Sequence, residues 1–343
     1  MNHVHPHHAH PHRHTLALAI AAVVGCVVAP AAVAGKVAGP GFGPWGDPQY
    51  VVAVNTAAAA EGCPIESPDG RELYIASNRS APGAQGKLDI YRSFRSRHGH
   101  DWTQPENLGA PVNTPEFDYC PTPLPGHWLL YISSHADADD CNPGNAAPPA
   151  APGGPAPGDI YLSRELPRGK WLRPLHLGCY PHGPSTAKAE FSPSLLSAPG
   201  ETYLFFSSDG YLDSQGQDIY VSRVLRDGTV TPGKRVAELS TAADDRMPNV
   251  RRDGLEIVFS SNRAGALPFD QDIYVATRKN IHSPWSAPKR IDNPFINTPG
   301  SETRATLSGD GTRLYFGRKV NADDPGDVFV STRSKPRGRQ KVN

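Results

Sequence analysis

Five carboxylates stand at matching places along the chain: Glu61, Asp118, Glu190, Asp245 and Glu302. Each opens a short extended stretch, such as Cys63-Pro64-Ile65 or Met247-Pro248-Asn249-Val250. Acids held close together raise one another's pKa or recruit a cation. The first chemistry the set suggests is therefore a hard-cation ring of the Ca²⁺ type. A structural role competes with it, in which each carboxylate accepts backbone N–H bonds from a neighbouring repeat. Recurrence in every copy favours the structural role, so no resident metal or other cofactor is expected. The second chemistry is cleavage of a glycosidic bond, which needs two carboxyl groups over a sugar-binding cleft. Glu61 and Glu190 are the pair considered. Catalytic acids usually break the symmetry of a repeat, whereas these follow it.

Two residues after the carboxylates stand Cys63, Cys120, Ser192, Met247 and Arg304. Arg304 is the lone cation of that set. It could bind a carboxylate of a sugar or peptide, or neutralise the acids beside it. The five acids and Arg304 form the candidate ligand-binding set. Cys63 with Cys120, and Cys141 with Cys179, are the disulfide pairs considered. Four cysteines allow three connectivities, and matched sites on neighbouring strands can lie too far apart for a bond. No G-x-S-x-G elbow, H-E-x-x-H pair or Gly-rich phosphate loop occurs.

The elements that must position these residues form a repeat. After each acid comes a turn dipeptide: Asp69-Gly70, Pro125-Gly126, Pro199-Gly200, Asp253-Gly254 or Asp310-Gly311. Such pairs supply the backbone angles of tight turns. An apolar strand follows, as in Leu73-Tyr74-Ile75 or Ile257-Val258-Phe259, rich in residues that suit a pleated buried surface. A third strand opens on Asp89, Asp159, Asp218, Asp272 or Asp327, and these aspartates are expected to anchor their loops. A weaker fourth segment leads to the next acid. Five units of about 55 residues with four short strands have the size of propeller blades. The expected fold is all-β: a five-bladed β-propeller of four-stranded antiparallel blades. Nothing resembling a fourth segment follows Arg333, whereas residues 50–56 end in the same Asn55-Thr56 pair. This N-terminal strand is expected to close the last blade.

Ser67-Pro68-Asp69-Gly70, Ser77-Asn78-Arg79 and Asp89-Ile90-Tyr91 resemble the WD40-like β-propeller repeat of TolB-type proteins. The resemblance spans nearly the whole chain after its first segment. It implies the propeller fold and leaves function open, because members include partner-binding periplasmic proteins and propellers attached to enzymes.

The first segment pairs Arg13 with an apolar run from Leu16 to Val33 and an Ala32-Val33-Ala34 cleavage site, which reads as a signal peptide over 1–34. The alternative is lipid anchoring through Cys26, in Val23-Val24-Gly25-Cys26. The propeller is assigned to 35–333, with a Pro/Gly/Ala insertion at 141–158 and a basic tail at 334–343. Among 343 residues, Lys plus Arg and Asp plus Glu balance at 34 each, which gives no support to nucleic-acid binding. The expectation is a secreted or periplasmic monomer without stable membrane insertion. It is read as a non-catalytic scaffold binding a protein or glycan through one propeller face. The alternative is a carbohydrate-active enzyme, a hydrolase or lyase with carboxylates at the central funnel.

Overall fold

A computed structural model describes residues 41–96, 101–135, 141, 158–263 and 271–335. The signal peptide, Cys26, nearly all of the insertion and most of the tail lie outside the described residues. Five antiparallel sheets follow one another along the chain. Their first strands are Glu61–Glu66, Asp118–Leu124, Glu190–Ala198, Asp245–Val250 and Ser301–Leu307. Each first strand touches the first strands of two neighbouring sheets, and the last touches the first, which closes a ring around an axis. The protein is a five-bladed β-propeller. Blade 2 adds a short strand, Lys170–Trp171, to its four.

Hydrophobic residues of the second and third strands fill the space between blades. Leu73, Ile75, Tyr91 and Tyr315 pack between blades 1 and 5, and Phe205, Ile219, Ile257 and Phe259 between blades 3 and 4. Glycines in left-handed conformation make the tight turns, for example Gly70 at φ 75° and Gly254 at φ 73°.

The closing strand is Gln49–Tyr50, antiparallel to Asp327–Thr332 with Tyr50 opposite Phe329. The side-chain pattern confirms it as the fourth strand of blade 5. In every blade the aspartate opening the third strand pairs with the second residue of the fourth. The partners are Asn107 for Asp89, His176 for Asp159, Arg235 for Asp218, Arg290 for Asp272 and Tyr50 for Asp327. Asn55 also clips the main chain of Val328, accepting from its N–H and donating to its carbonyl, as Asn113 does with Ile90.

Every first strand carries a β-bulge, which the sequence pattern had not revealed. The bulged residues are Cys63, Cys120, Ser192, Met247 and Arg304, all with φ between 48° and 59°. A left-handed conformation costs a non-glycine residue about 1 kcal/mol or more. The cost recurs five times because the bulge bends each strand where the blades converge.

Just beyond the bulge, neighbouring first strands are tied by polar side chains. Thr122 donates to the Pro193 carbonyl and Thr306 to that of Pro64. Ser194 and Asn249 accept from the backbone N–H of Val250 and Leu307. The matching residue of blade 1 is Ile65, which has no such group. At that interface the Cys63–Cys120 disulfide joins blades 1 and 2.

Candidate functional site

The carboxylates Glu61, Asp118, Glu190, Asp245 and Glu302 are all buried. Their shared cradle begins with a threonine on the incoming linker. Thr56, Thr114, Thr241 and Thr298 each donate both hydroxyl and backbone N–H, at 2.6–3.1 Å, and the Thr186 hydroxyl reaches Glu190 at 2.7 Å. Second-strand serines add a bond to Glu61, Glu190 and Asp245.

In blades 1, 4 and 5 an arginine completes the cradle. Arg79 reaches Glu61 at 2.9 Å, Arg263 reaches Asp245 at 2.5 Å and Arg318 reaches Glu302 at 2.8 Å. Each guanidinium also donates to the carbonyl two residues before the linker threonine: Val54, Leu239 or Ile296. Each lies over aromatic rings of its own blade. Both oxygens of these three carboxylates are thereby engaged by donors, an arrangement that serves blade architecture and leaves them poorly placed to hold a cation.

Blades 2 and 3 break the pattern. Among the described residues, no guanidinium pairs with Asp118 or Glu190. In blade 3 the arginine's place is taken by Tyr211, which stacks on Tyr220 and lies tilted against Phe206, the counterparts of Tyr274 and Phe259 under Arg263. The Tyr211 hydroxyl donates to the Pro184 carbonyl at 2.7 Å, matching the arginine's bond to the linker. The stacking and the linker bond survive the exchange, and the positive charge does not. In blade 2 the sequence position of Arg79 is held by His135.

The consequence is electrostatic. Asp118 Oδ1 and Glu190 Oε2 are buried and accept no hydrogen bond among the described residues. Burial pushes the Asp118 carboxyl up to about 6, offset only in part by Ser133 and Thr114. Burial, then the charge of Asp159, pushes Glu190 well above the usual carboxylate range. Burial also raises Glu61 and Glu302, but there an arginine opposes it. Both uncompensated acids reach one side chain by their charge. The fully buried Tyr119 is raised first by burial, then by the charges of Glu190, Asp159 and Asp118 around it. Its ring lies 5.9 Å from that of the partly exposed Phe191. Buried carboxyls raised above their ordinary range are the groups from which acid–base catalysis is built.

Arg304 pairs with none of the five acids. It is fully buried and reaches across the axis from blade 5 to blade 2, where Nη2 donates to the Pro121 carbonyl and the Thr122 hydroxyl. Cys141 and Cys179 form a disulfide beside His176, so their sulfurs are not free thiolates for a metal. A lateral cavity of about 860 Å³ opens where the N-terminal strand meets blades 1 and 5, beside Tyr50, Trp102 and Tyr315. Asp101 is its single acid, so it cannot supply two-carboxyl chemistry. The environment that sets Asp118 and Glu190 apart was not read from sequence. The signal available was the missing arginine after Ser133-Ser134 and Ser207-Ser208.

Fold and site together define a five-bladed propeller with one asymmetric acidic centre. No protein-family model matches the sequence, and no curated protein matches it. Solved structures with a similar fold include a protein of unknown function from Dyadobacter fermentans, 13 % identical, covering 86 % of this chain and 100 % of that one, with a TM-score of 0.49. An exo-1,5-α-L-arabinanase from a bovine ruminal metagenomic library is 14 % identical, covers 80 % of this chain and 92 % of its own, and has a TM-score of 0.46. The α-L-arabinofuranosidase of Podospora anserina is 13 % identical, with coverage of 88 % and 96 % and a TM-score of 0.43. Two of these three are glycosidases. The expectation of a non-catalytic scaffold is corrected on the site, where two buried acids lack the cation that their equivalents have. At such identities and TM-scores the likeness carries no chemistry, which must come from the site.

Proposed function

We propose that this chain is a carbohydrate-active enzyme, a hydrolase of glycosidic bonds, with Asp118 and Glu190 as its carboxyl pair. The observation that supports it is the loss of the arginine partner at these two of five equivalent acids. Glu190, whose carboxyl burial raises well above the usual range, is suited to donate a proton to the leaving oxygen. Asp118, ionised above about pH 6, is suited to act as base or nucleophile. Glu61, the sequence-based partner of Glu190, is neutralised by Arg79 and takes a structural role. Both proposed carboxyls are closed off from solvent, so the reading requires a local rearrangement that admits a sugar. Turnover is therefore the test rather than affinity.

We place the enzyme outside the cytoplasm after removal of residues 1–34, a view supported by two disulfides in a chain with an export-type leader. The TolB-type repeat residues support a common blade ancestry. A polysaccharide-hydrolysis screen would detect product from the wild type and none from Asp118→Asn or Glu190→Gln. Both substitutions remove a buried uncompensated acid and should leave the fold intact. Product release unchanged in both variants would refute the assignment, as would an inert wild type across neutral and acidic glycans.

A further inference from the structure

The Arg304 guanidinium carries five N–H bonds, and those on Nε and Nη1, three in all, meet no acceptor among the described residues. The residue is fully buried, and no carboxylate among the described residues lies within ion-pair distance of it. Its companions at the bulge are the Cys63–Cys120 disulfide, Ser192 and Met247, none of them anionic. Ser192 spends its hydroxyl on Cys120 Sγ at 3.2 Å. Burial lowers the Arg304 pKa to about 9, which still leaves the group charged at neutral pH.

A buried cation without a counter-charge is strongly unfavourable. Water could accept the three N–H bonds but could not balance the charge. An anion does both. Space is available beside the neighbouring inner strand: a Cβ built on Gly62, the residue before Cys63, would meet no atom within 4 Å. Gly62 lies close to Thr303, the residue before Arg304, because a Cβ built on Gly317 would meet Thr303 Oγ1 at 3.5 Å and the Gly62 Cα at 3.7 Å.

We propose that Arg304 holds a small monovalent inorganic anion, chloride in its natural setting, on the propeller axis. The anion accepts from Nε and Nη1 while Nη2 stays fixed to Pro121 and Thr122. The site does not depend on the proposed hydrolase activity, since it uses neither Asp118 nor Glu190.

The test compares the thermal midpoint of the full chain in sodium gluconate with that in sodium chloride or bromide at one ionic strength. A saturating rise of a few °C with both halides, lost in Arg304→Met, is the expected result. A midpoint indifferent to halide, or a rise that persists in Arg304→Met, overturns the proposal. Should Arg304→Met not fold, anomalous scattering from bromide-soaked wild-type crystals decides. A bromide peak against Arg304 Nε and Nη1 supports the site, and its absence there refutes it.

Discussion

Replacing Asp118 by asparagine should make the protein more stable at pH 8, by an amount the structure sets. The folded carboxyl is raised from 3.8 to about 6. At about 1.4 kcal/mol per pKa unit, that penalises the ionised form by up to about 3 kcal/mol. The sign follows from proton binding. The folded state holds this proton more tightly than the unfolded state does. Its stabilising contribution is complete below about pH 4 and is lost as pH rises through about 6. Asparagine keeps the neutral state at every pH. Its carbonyl can accept the two Thr114 bonds, 2.6 and 2.8 Å long, and its amide can face Ser133. Urea unfolding followed by circular dichroism at pH 4.5 and pH 8 provides the assay. Wild type and variant should be nearly equal at the lower pH and separate at the higher. Asp245→Asn is the control, because it strands Arg263 and should cost about 3–5 kcal/mol. If Asp118→Asn were destabilised at pH 8 like the control, the account of an uncompensated acid would be wrong.

Three further outcomes follow from the same geometry. Arg79→Met leaves Glu61 buried without its cation and should cost about 3–5 kcal/mol in urea unfolding, most of it recovered by adding Glu61→Gln. Asn55→Ala leaves the Val328 N–H without its acceptor, while the Val328 carbonyl keeps the Val51 N–H, and should lower stability by about 1–3 kcal/mol, with hydrogen exchange rising first in Asp327–Thr332. Removing the Cys63–Cys120 disulfide, whose loop spans 57 residues, should cost about 4 kcal/mol by chain entropy, read as an unfolding midpoint shift in the double Cys→Ser variant.

The blades were legible because each is written five times. Acid, turn glycine, apolar strand and third-strand aspartate recur in register, and Asn55-Thr56 repeats the Asn-Thr of the internal linkers, so even the closing strand could be placed. The role of the acids was less legible. Sequence shows that Glu61 and Glu190 occupy the same place in the repeat. It does not show that Arg79 lies against one and that Tyr211 stands where the other's arginine would be. Tyr211 comes from further along its loop than Arg263 does, so alignment by position hides the exchange. Arg304 was visible as an odd cation, but its isolation from every acid depends on the bulge that turns it toward the axis.

The seam at Tyr50 and Asp327 joins residues 277 positions apart in the chain. A linear array of repeats frays from its terminal units, because those have one neighbour instead of two. Here each blade has two neighbours, and the first segment of the fold to be synthesised waits for the last before its own backbone is paired. Closure is thus a late, long-range event, of the kind that slows folding. A chain crossing a membrane in its unfolded form would stay open until its C-terminal strand emerged on the far side, and from then on it would have no end at which unravelling could begin.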